Sequence, residues 1–206
     1  MNLRGGSILP VLVVCGFACS TLSVPGSPAT APTSRIDPSL LHFEDQWVAF
    51  DHPRSLDVYE GPDPAFKWCL QDEVHVGGEQ VVGLGDGQAR ANDVYLHSIR
   101  ITHQGLSAGE DVRQSMQELY QSFDARYDTA GPLLTLPQTI IVDGAHAYQM
   151  TYRIFWGEPA YDFRDVWIPH GDALYVVSVR VRWSNLDDLA AFNAAADVIL
   201  RSLVIK

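Results

Sequence analysis

The sequence predicts an α+β fold in which an antiparallel sheet is covered by at least two helices. Two turn signals, Gly85-Asp86-Gly87 and Asp143-Gly144, each separate segments that read as strands, and Asp-Gly accepts the positive φ that tight hairpins need. Apolar and polar residues alternate over Ala145–Trp156, as in a strand with one buried face. Apolar residues recur at helical spacing over 107–127 and again from Leu189 to Leu203, which predicts the two helices.

The first half of the domain contains four predicted strands. Gln46–Phe50 and Leu56–Tyr59 are short and end at proline-containing or glycine-containing turns. Lys67–Leu84 and Ala89–His103 flank Gly85-Asp86-Gly87, so we expect them to form one long hairpin.

The first helix is predicted over residues 107–127. Ser107 and Glu110 have the spacing of a capping box, and Gly131-Pro132 prevents the helix from continuing. One face of the helix is apolar and would pack on the sheet: Val112, Met116, Leu119, Tyr120 and Phe123.

A four-stranded meander follows this helix. Its predicted strands are Gln138–Val142, Ala145–Trp156, Tyr161–Ile168 and Ala173–Trp183. In the last strand apolar residues alternate with Ser178, Arg180 and Arg182, so we expect one face of the sheet to be buried and the other to be more exposed to solvent.

The chain closes with a second helix. Ser184 or Asn185 can cap its first turn, and Asp187 and Asp188 lie where the helix dipole favours negative charge. Its apolar residues would cover the sheet: Leu189, Phe192, Ala196, Ile199 and Leu203.

Residues 43–206 resemble the PsbP-like family. The resemblance rests on an aromatic strand that runs into a proline, Trp47-Val48-Ala49-Phe50-Asp51-His52-Pro53, on a second strand that begins Leu56-Asp57-Val58, and on the order hairpin, helix, meander, closing helix. It implies an αβα sandwich with a central antiparallel sheet and a binding or accessory role. Bacterial members include exported lipoproteins. The family has no shared catalytic motif, so the resemblance implies no catalytic residue.

The N-terminal residues predict an export signal. Met1–Arg4 is a short cationic start, and Ile8–Cys19 is an uncharged apolar run that is too short to span a bilayer. Residues 20–40 begin as a Ser/Thr/Pro-rich stretch that suits a linker. The predicted organisation is therefore a signal peptide over 1–19, a linker over 20–40 and a single α+β domain over 41–206.

Cys19 is the candidate site of lipidation. It follows Gly16-Phe17-Ala18, which resembles a bacterial lipobox, and acyl chains would supply the anchoring energy that an acidic domain lacks. Two alternatives remain open: Cys15 as the modified residue, and ordinary cleavage near Ala18-Cys19-Ser20. The protein would then be a lipoprotein on the outer face of a bacterial membrane, or a periplasmic or secreted protein.

The net charge of −11 restricts the partners. Phosphate neutralisation needs clustered positive charge, so nucleic-acid binding is not expected, and an anionic membrane would be reached through the lipid anchor only. Cys69 is the one thiol certain to remain after removal of the leader, and we expect it to be a small buried residue. No cofactor motif is recognised.

Four arginines on predicted polar strand faces are the candidate binding residues: Arg100, Arg153, Arg180 and Arg182. Arginine binds carboxylate and phosphate in a bidentate manner, so a sheet face with several arginines predicts an anionic ligand or an envelope protein as the partner. The alternative is that they pair with local acids such as Asp165.

The leading functional hypothesis is an exported binding or accessory module of the cell envelope without catalytic activity. The alternative is an exported hydrolase or metal-dependent enzyme that uses an acidic loop containing Glu158, Asp162 and Asp165, although a solvated loop also explains this cluster. Glu73 and His75 share a strand face and could donate two metal ligands. A third hypothesis, a carrier of a small ligand, requires a closed apolar cavity.

Overall fold

A seven-stranded antiparallel sheet forms the centre of the structure. The computed structural model describes residues 37–59, 79–86, 90–91, 94–95, 97–126, 136–155, 160–182 and 186–206. The strands of this sheet are β3 (Leu56–Tyr59), β4 (Glu79–Asp86), β7 (His97–Gly105), β8 (Gln138–Val142), β9 (Ala145–Phe155), β10 (Ala160–His170) and β11 (Ala173–Arg182). Their order across the sheet is β3-β4-β7-β11-β10-β9-β8.

Two smaller sheets accompany the central sheet. β1 (Leu40–Glu44), β2 (Val48–Pro53) and β12 (Val204–Ile205) form a three-stranded sheet with β2 in the middle. β5 (Arg90–Ala91) and β6 (Val94–Tyr95) pair with each other.

The two helices of the described residues pack on opposite faces of the central sheet. α1 (Val112–Arg126) packs through Val112 and Met116 against apolar residues of β9, β10 and β11. α2 (Leu186–Ser202) packs on the other face, where its apolar residues join those of β2, β7 and β11. The predicted αβα sandwich is therefore confirmed, and we call the two sides of the sheet the α1 face and the α2 face.

Both faces of the central strands are buried, so the prediction that one face of the sheet is more exposed to solvent is wrong there. On β11, Tyr175, Val177, Val179 and Val181 join the core on the α2 face, yet Ser178 and Arg180 on the opposite face are equally buried. A sheet enclosed by helices on both sides hides the polar residues of its strands as well as the apolar ones.

The strands predicted on the two sides of Gly85-Asp86-Gly87 do pair, as β4 with β7, but the tight turn predicted between them is wrong. Gly85 pairs with Ser98, so β4 and β7 are neighbours, but the residues between them form more than a tight turn and include β5 and β6. Residues 67–78 of the predicted first arm lie outside the described residues. The local Asp-Gly signal predicted a change of chain direction here, but it did not predict that several residues, including β5 and β6, separate the paired strands in the sequence.

α1 begins four residues later than the capping-box spacing predicted. The Oδ1 atom of Asp111 accepts a hydrogen bond from the backbone N–H of Gln114 at 3.1 Å, which makes Asp111 the N-cap. Glu110 instead accepts bonds from the Ser107 backbone N–H at 3.2 Å and from the Ser115 hydroxyl at 3.0 Å. Ser107 and Glu110 thus hold the loop that enters the helix. The predicted caps of α2, Ser184 and Asn185, lie outside the described residues.

Candidate functional site

A buried carboxylate, Asp165, is the centre of a polar cluster on the α1 face. The Tyr152 hydroxyl donates to Asp165 Oδ2 at 2.7 Å, and the Ser178 hydroxyl donates to Oδ1 at 2.6 Å. The residue is 1% exposed, and this burial raises the pKa of Asp165, whereas the two hydroxyl bonds and the charge of Arg100 act in the opposite direction.

The strand register brings these residues together. Asp165 lies directly opposite Ser178, and Ser178 lies directly opposite Arg100, on the adjacent strands β10, β11 and β7. Direct cross-strand neighbours have Cβ atoms about 5 Å apart and share a face. Tyr152 reaches Asp165 from β9, and its ring stacks on Phe163 at 5.0 Å between centroids.

The four candidate arginines are divided between the two faces of the sheet. Arg100, Arg180 and Arg182 lie on the α1 face, whereas Arg153 pairs in register with Asp162 and lies on the α2 face. Arg180 is fully buried, and its Cζ lies 5.8 Å from the centroid of the Tyr161 ring. Anion binding by the three arginines of the α1 face stays a prediction.

Arg153 forms a bidentate ion pair with Asp162. Its Nε donates to Oδ1 at 2.6 Å and its Nη2 donates to Oδ2 at 3.0 Å. This is the local pairing that the sequence offered as the alternative to anion binding, and it satisfies a carboxylate that is 2% exposed.

The acidic cluster predicted for an enzyme is separated in the fold. Asp162 and Asp165 lie within β10 and not in a solvated loop, and they point to opposite faces of the sheet because they are three residues apart. They therefore cannot act as a carboxylate pair on one substrate. Glu158 lies outside the described residues.

The histidines of β7 have structural contacts on the α2 face. His97 Nε2 lies 3.6 Å from Asp188 Oδ2, and burial lowers the pKa of His97 although the Asp188 charge raises it in part. The His103 ring stacks on Trp47 with 4.3 Å between centroids. Among the described residues no group of three or more His, Cys, Asp or Glu side chains could hold a metal ion, and Glu73 and His75 lie outside them.

An open groove lies between α2 and the strands β1, β2 and β3. Its volume is about 1130 Å³, which is large enough for a peptide segment or a small molecule. Much of its lining is apolar, with Leu40 and Leu56 from the strands and Ala191, Phe192, Ala194, Ala195 and Val198 from α2. Ala191 and Ala194 are exposed, so the groove opens to solvent and is not the closed cavity that a small-ligand carrier would require.

Charged residues of both signs line this groove. The strand side contributes three carboxylates and one guanidinium, from Asp37, Asp51, Asp86 and Arg54. The last turn of α2 contributes Arg201. Hydrogen bonds from the side chain and the backbone of Ser39 lower the pKa of Asp37, which therefore stays ionised at neutral pH.

Sequence reasoning did not predict the groove. Its lining comes from residues 37–56, from Asp86 and from residues 191–202, and only the tertiary fold brings them together. The run of alanines in α2, Ala194-Ala195-Ala196 with Ala190-Ala191 before it, is the local signal that could have indicated it. Small side chains leave space beside a helix that larger ones would fill.

Comparison with known proteins shows the fold. No protein-family model matches the chain, and no curated protein matches it by sequence. Cyanobacterial PsbP (CyanoP) from Synechocystis sp. PCC 6803 is similar in structure, with a TM-score of 0.54 and 12% identity over 87% of this chain and 100% of that chain. The chain has the PsbP-like fold.

A second solved structure shares the PsbP-like fold with this chain. LpqN, a protein involved in cell envelope biogenesis of Mycobacterium tuberculosis, matches with a TM-score of 0.54 and 12% identity over 81% of this chain and 89% of that chain. The resemblance inferred from the order of elements is thereby confirmed for the fold.

The leader residues and all three cysteines lie outside the described residues. These are residues 1–36, which include Cys15 and Cys19, and the segment that contains Cys69. Within the described part of the chain, no helix has the length and apolar character that a membrane crossing requires.

Proposed function

We propose that the chain is an exported binding or accessory module of the cell envelope, anchored through a lipid on Cys19 and without catalytic activity. The open groove beside α2 is the observation that carries this proposal, since it is a large concave surface lined by apolar residues and by charged residues of both signs. The PsbP-like fold that the chain shares with LpqN, an envelope-biogenesis protein, supports the location.

The groove suits a segment of another envelope protein. Its apolar lining residues would take apolar side chains, and the ionised Asp37 in the lining, with Asp51 and Asp86, would attract basic ones. The net charge of −11 favours a basic partner over the whole surface as well. We therefore infer that the occupant is a protein segment with apolar residues flanked by lysine or arginine.

The buried ionisable groups support a role in binding and not in catalysis. Asp162 is held by Arg153, and Asp165 is held by Tyr152 and Ser178. A general acid or base must reach a substrate, and these two carboxylates are at most 2% exposed.

Site-specific photo-crosslinking tests the groove. A photo-crosslinking amino acid at Ala194, which is exposed and lines the groove, should join the protein to a partner in the envelope of living cells. The same amino acid at Ala190, which is exposed on the same helix but does not line the groove, should give no such product.

A charge substitution distinguishes groove binding from accidental proximity. Ala191→Arg places a bulky cation in the groove, so it should abolish the crosslink from position 194, because it both fills the space and repels a basic segment. Ala190→Arg adds the same charge outside the groove and should leave the crosslink intact. Equal products from positions 190 and 194, or a crosslink that survives Ala191→Arg, would overturn the proposal.

A further inference from the structure

β8 is an uncharged edge strand of the central sheet. Its sequence is Gln-Thr-Ile-Ile-Val, and within the described part of the chain only β9 pairs with it. Ile141 is 61% exposed, and Leu136 just before the strand is 74% exposed. Edge strands of soluble proteins usually carry charged residues, prolines or bulges that prevent pairing with other chains, and none of these interrupts β8.

The turn after β8 determines which backbone groups face outwards. Asp143 and Gly144 have φ values of 48° and 73°, so they form a two-residue hairpin turn of type I′ closed by the hydrogen-bonded pair Val142 and Ala145. Hydrogen-bonded and non-bonded pairs then alternate along the ladder. Thr139 and Ile141 therefore direct their N–H and C=O groups away from β9, towards solvent.

We propose that two copies of the chain pair through β8, antiparallel and about a two-fold axis at Ile140. In this register Thr139 of one copy lies opposite Ile141 of the other, and the outward groups of both residues form four hydrogen bonds across the axis. A shift towards the start of the strand would place Pro137 opposite Ile141, and proline has no N–H to donate. A shift towards the end would place the turn residue Asp143 opposite Thr139. Counted between residues of β8 alone, the register centred on Ile140 makes four hydrogen bonds and each of these two shifted registers makes two.

The side chains and charges of β8 fit a second copy. The register pairs the β-branched side chains of Thr139 and Ile141, which stabilise antiparallel ladders, and it opposes no charged residues. The two copies of Asp143 would be about 20 Å apart along the strands, beyond the screening length of about 10 Å at 0.1 M salt.

The dimer is expected to be weak and to strengthen with salt. A pair of five-residue strands buries less surface than the ~1,200 Å² or more of a stable interface, so pairing needs a high protein concentration. Each copy carries a net charge of −11, and salt screens the repulsion between the two.

Sedimentation equilibrium of the full chain tests the pairing surface. Wild type should dimerise reversibly between micromolar and millimolar concentrations, and Ile141→Lys should weaken the dimer at least about tenfold, because two like charges would then face the interface. Val58→Lys is the matched control, since Val58 is an exposed β-branched residue of β3 at the opposite edge of the same sheet, and it should dimerise as wild type does.

Disulfide trapping tests the register. In a chain whose Cys15, Cys19 and Cys69 are replaced by serine, Ile140→Cys should form a dimer on mild oxidation, because Cα atoms of a non-bonded pair are about 4.5 Å apart and disulfides accept this spacing. Gln138→Cys should not, because the register separates the two copies of position 138.

A monomer at all concentrations, or a dimer that Ile141→Lys leaves unchanged, overturns the proposal. A dimer that Ile140→Cys does not trap overturns the register. If wild type stays monomeric while Ile141→Lys abolishes binding of a different protein, the edge strand pairs with another partner and the self-pairing proposed here is wrong.

Discussion

At the scale of single residues, Asp165 is the side chain whose environment was predicted wrongly from the sequence. Its spacing from Glu158 and Asp162 suggested an exposed acidic cluster, but the residue is buried among Tyr152 and Ser178 at the middle of the sheet. Sequence spacing gives the face on which a strand residue lies. It does not reveal that α1 covers that face, because this depends on contacts between segments distant in sequence.

The raised pKa of Asp165 predicts a specific pH dependence of stability. The folded-state pKa lies above the unfolded value of about 3.8, so between the two values the folded state binds more protons than the unfolded state. The free energy of unfolding contributed by this group is therefore highest below about pH 4 and falls as the pH rises through the folded-state pKa. Asn at this position cannot ionise, so the free energy of unfolding of Asp165→Asn should not show this decrease.

Urea unfolding between pH 4 and pH 8 measures the effect. The free energy of unfolding of wild type should decrease relative to that of Asp165→Asn as the pH rises. The exposed Asp57→Asn variant controls for the loss of one negative charge elsewhere. Parallel pH profiles for wild type and Asp165→Asn would show that the carboxyl group is not perturbed.

At the scale of elements, local turn chemistry determined which predictions were correct. The β8–β9 hairpin has the Asp143-Gly144 turn that the sequence indicated, with both residues at positive φ, and β3, β8 and the meander match their predicted positions closely. β1 and β12 were not predicted. Both pair with β2, and short strands stabilised by a distant partner have little local signal.

The pairing of β3 with β4 depends on a glycine. Gly83 lies opposite Tyr59, and a Cβ atom added to Gly83 would collide with the Tyr59 ring. Gly83→Ala should therefore lower the free energy of unfolding by about 1–3 kcal/mol, because the ring must move from its packed position. Gly105→Ala is the control, since a Cβ atom there meets no heavy atom within 4 Å, and its effect should stay within about 0.5 kcal/mol.

A double-mutant cycle assigns the cost to the ring. In a Tyr59→Ala background Gly83→Ala should cost less, with a coupling energy of about 0.5–3 kcal/mol for residues in direct contact. Thermal or urea unfolding measures all four proteins. Additive effects, or equal losses for Gly83→Ala and Gly105→Ala, would contradict the contact.

At the scale of the whole molecule, the order of elements was sufficient to predict the fold but not the site. Antiparallel strands joined by short turns and two amphipathic helices leave few arrangements that bury all apolar faces, and the αβα sandwich is one of them. The groove beside α2 involves Asp37, Leu56, Asp86 and Arg201, which are far apart in sequence. A concave surface of this kind has no sequence motif. The sequence therefore predicted the arginines of the strands, and not the groove, as the binding residues.

The account of the whole molecule depends on export and on the anchor at Cys19. Cells that express the chain and grow with a palmitate analogue test both at once, because only a chain that has crossed the membrane and been lipidated carries the label. We expect labelled wild type in the envelope fraction, loss of the label in Cys19→Ala, and retention of the label in the matched control Cys15→Ala. Unlabelled wild type, or uncut chain in the cytosolic fraction, would contradict the account.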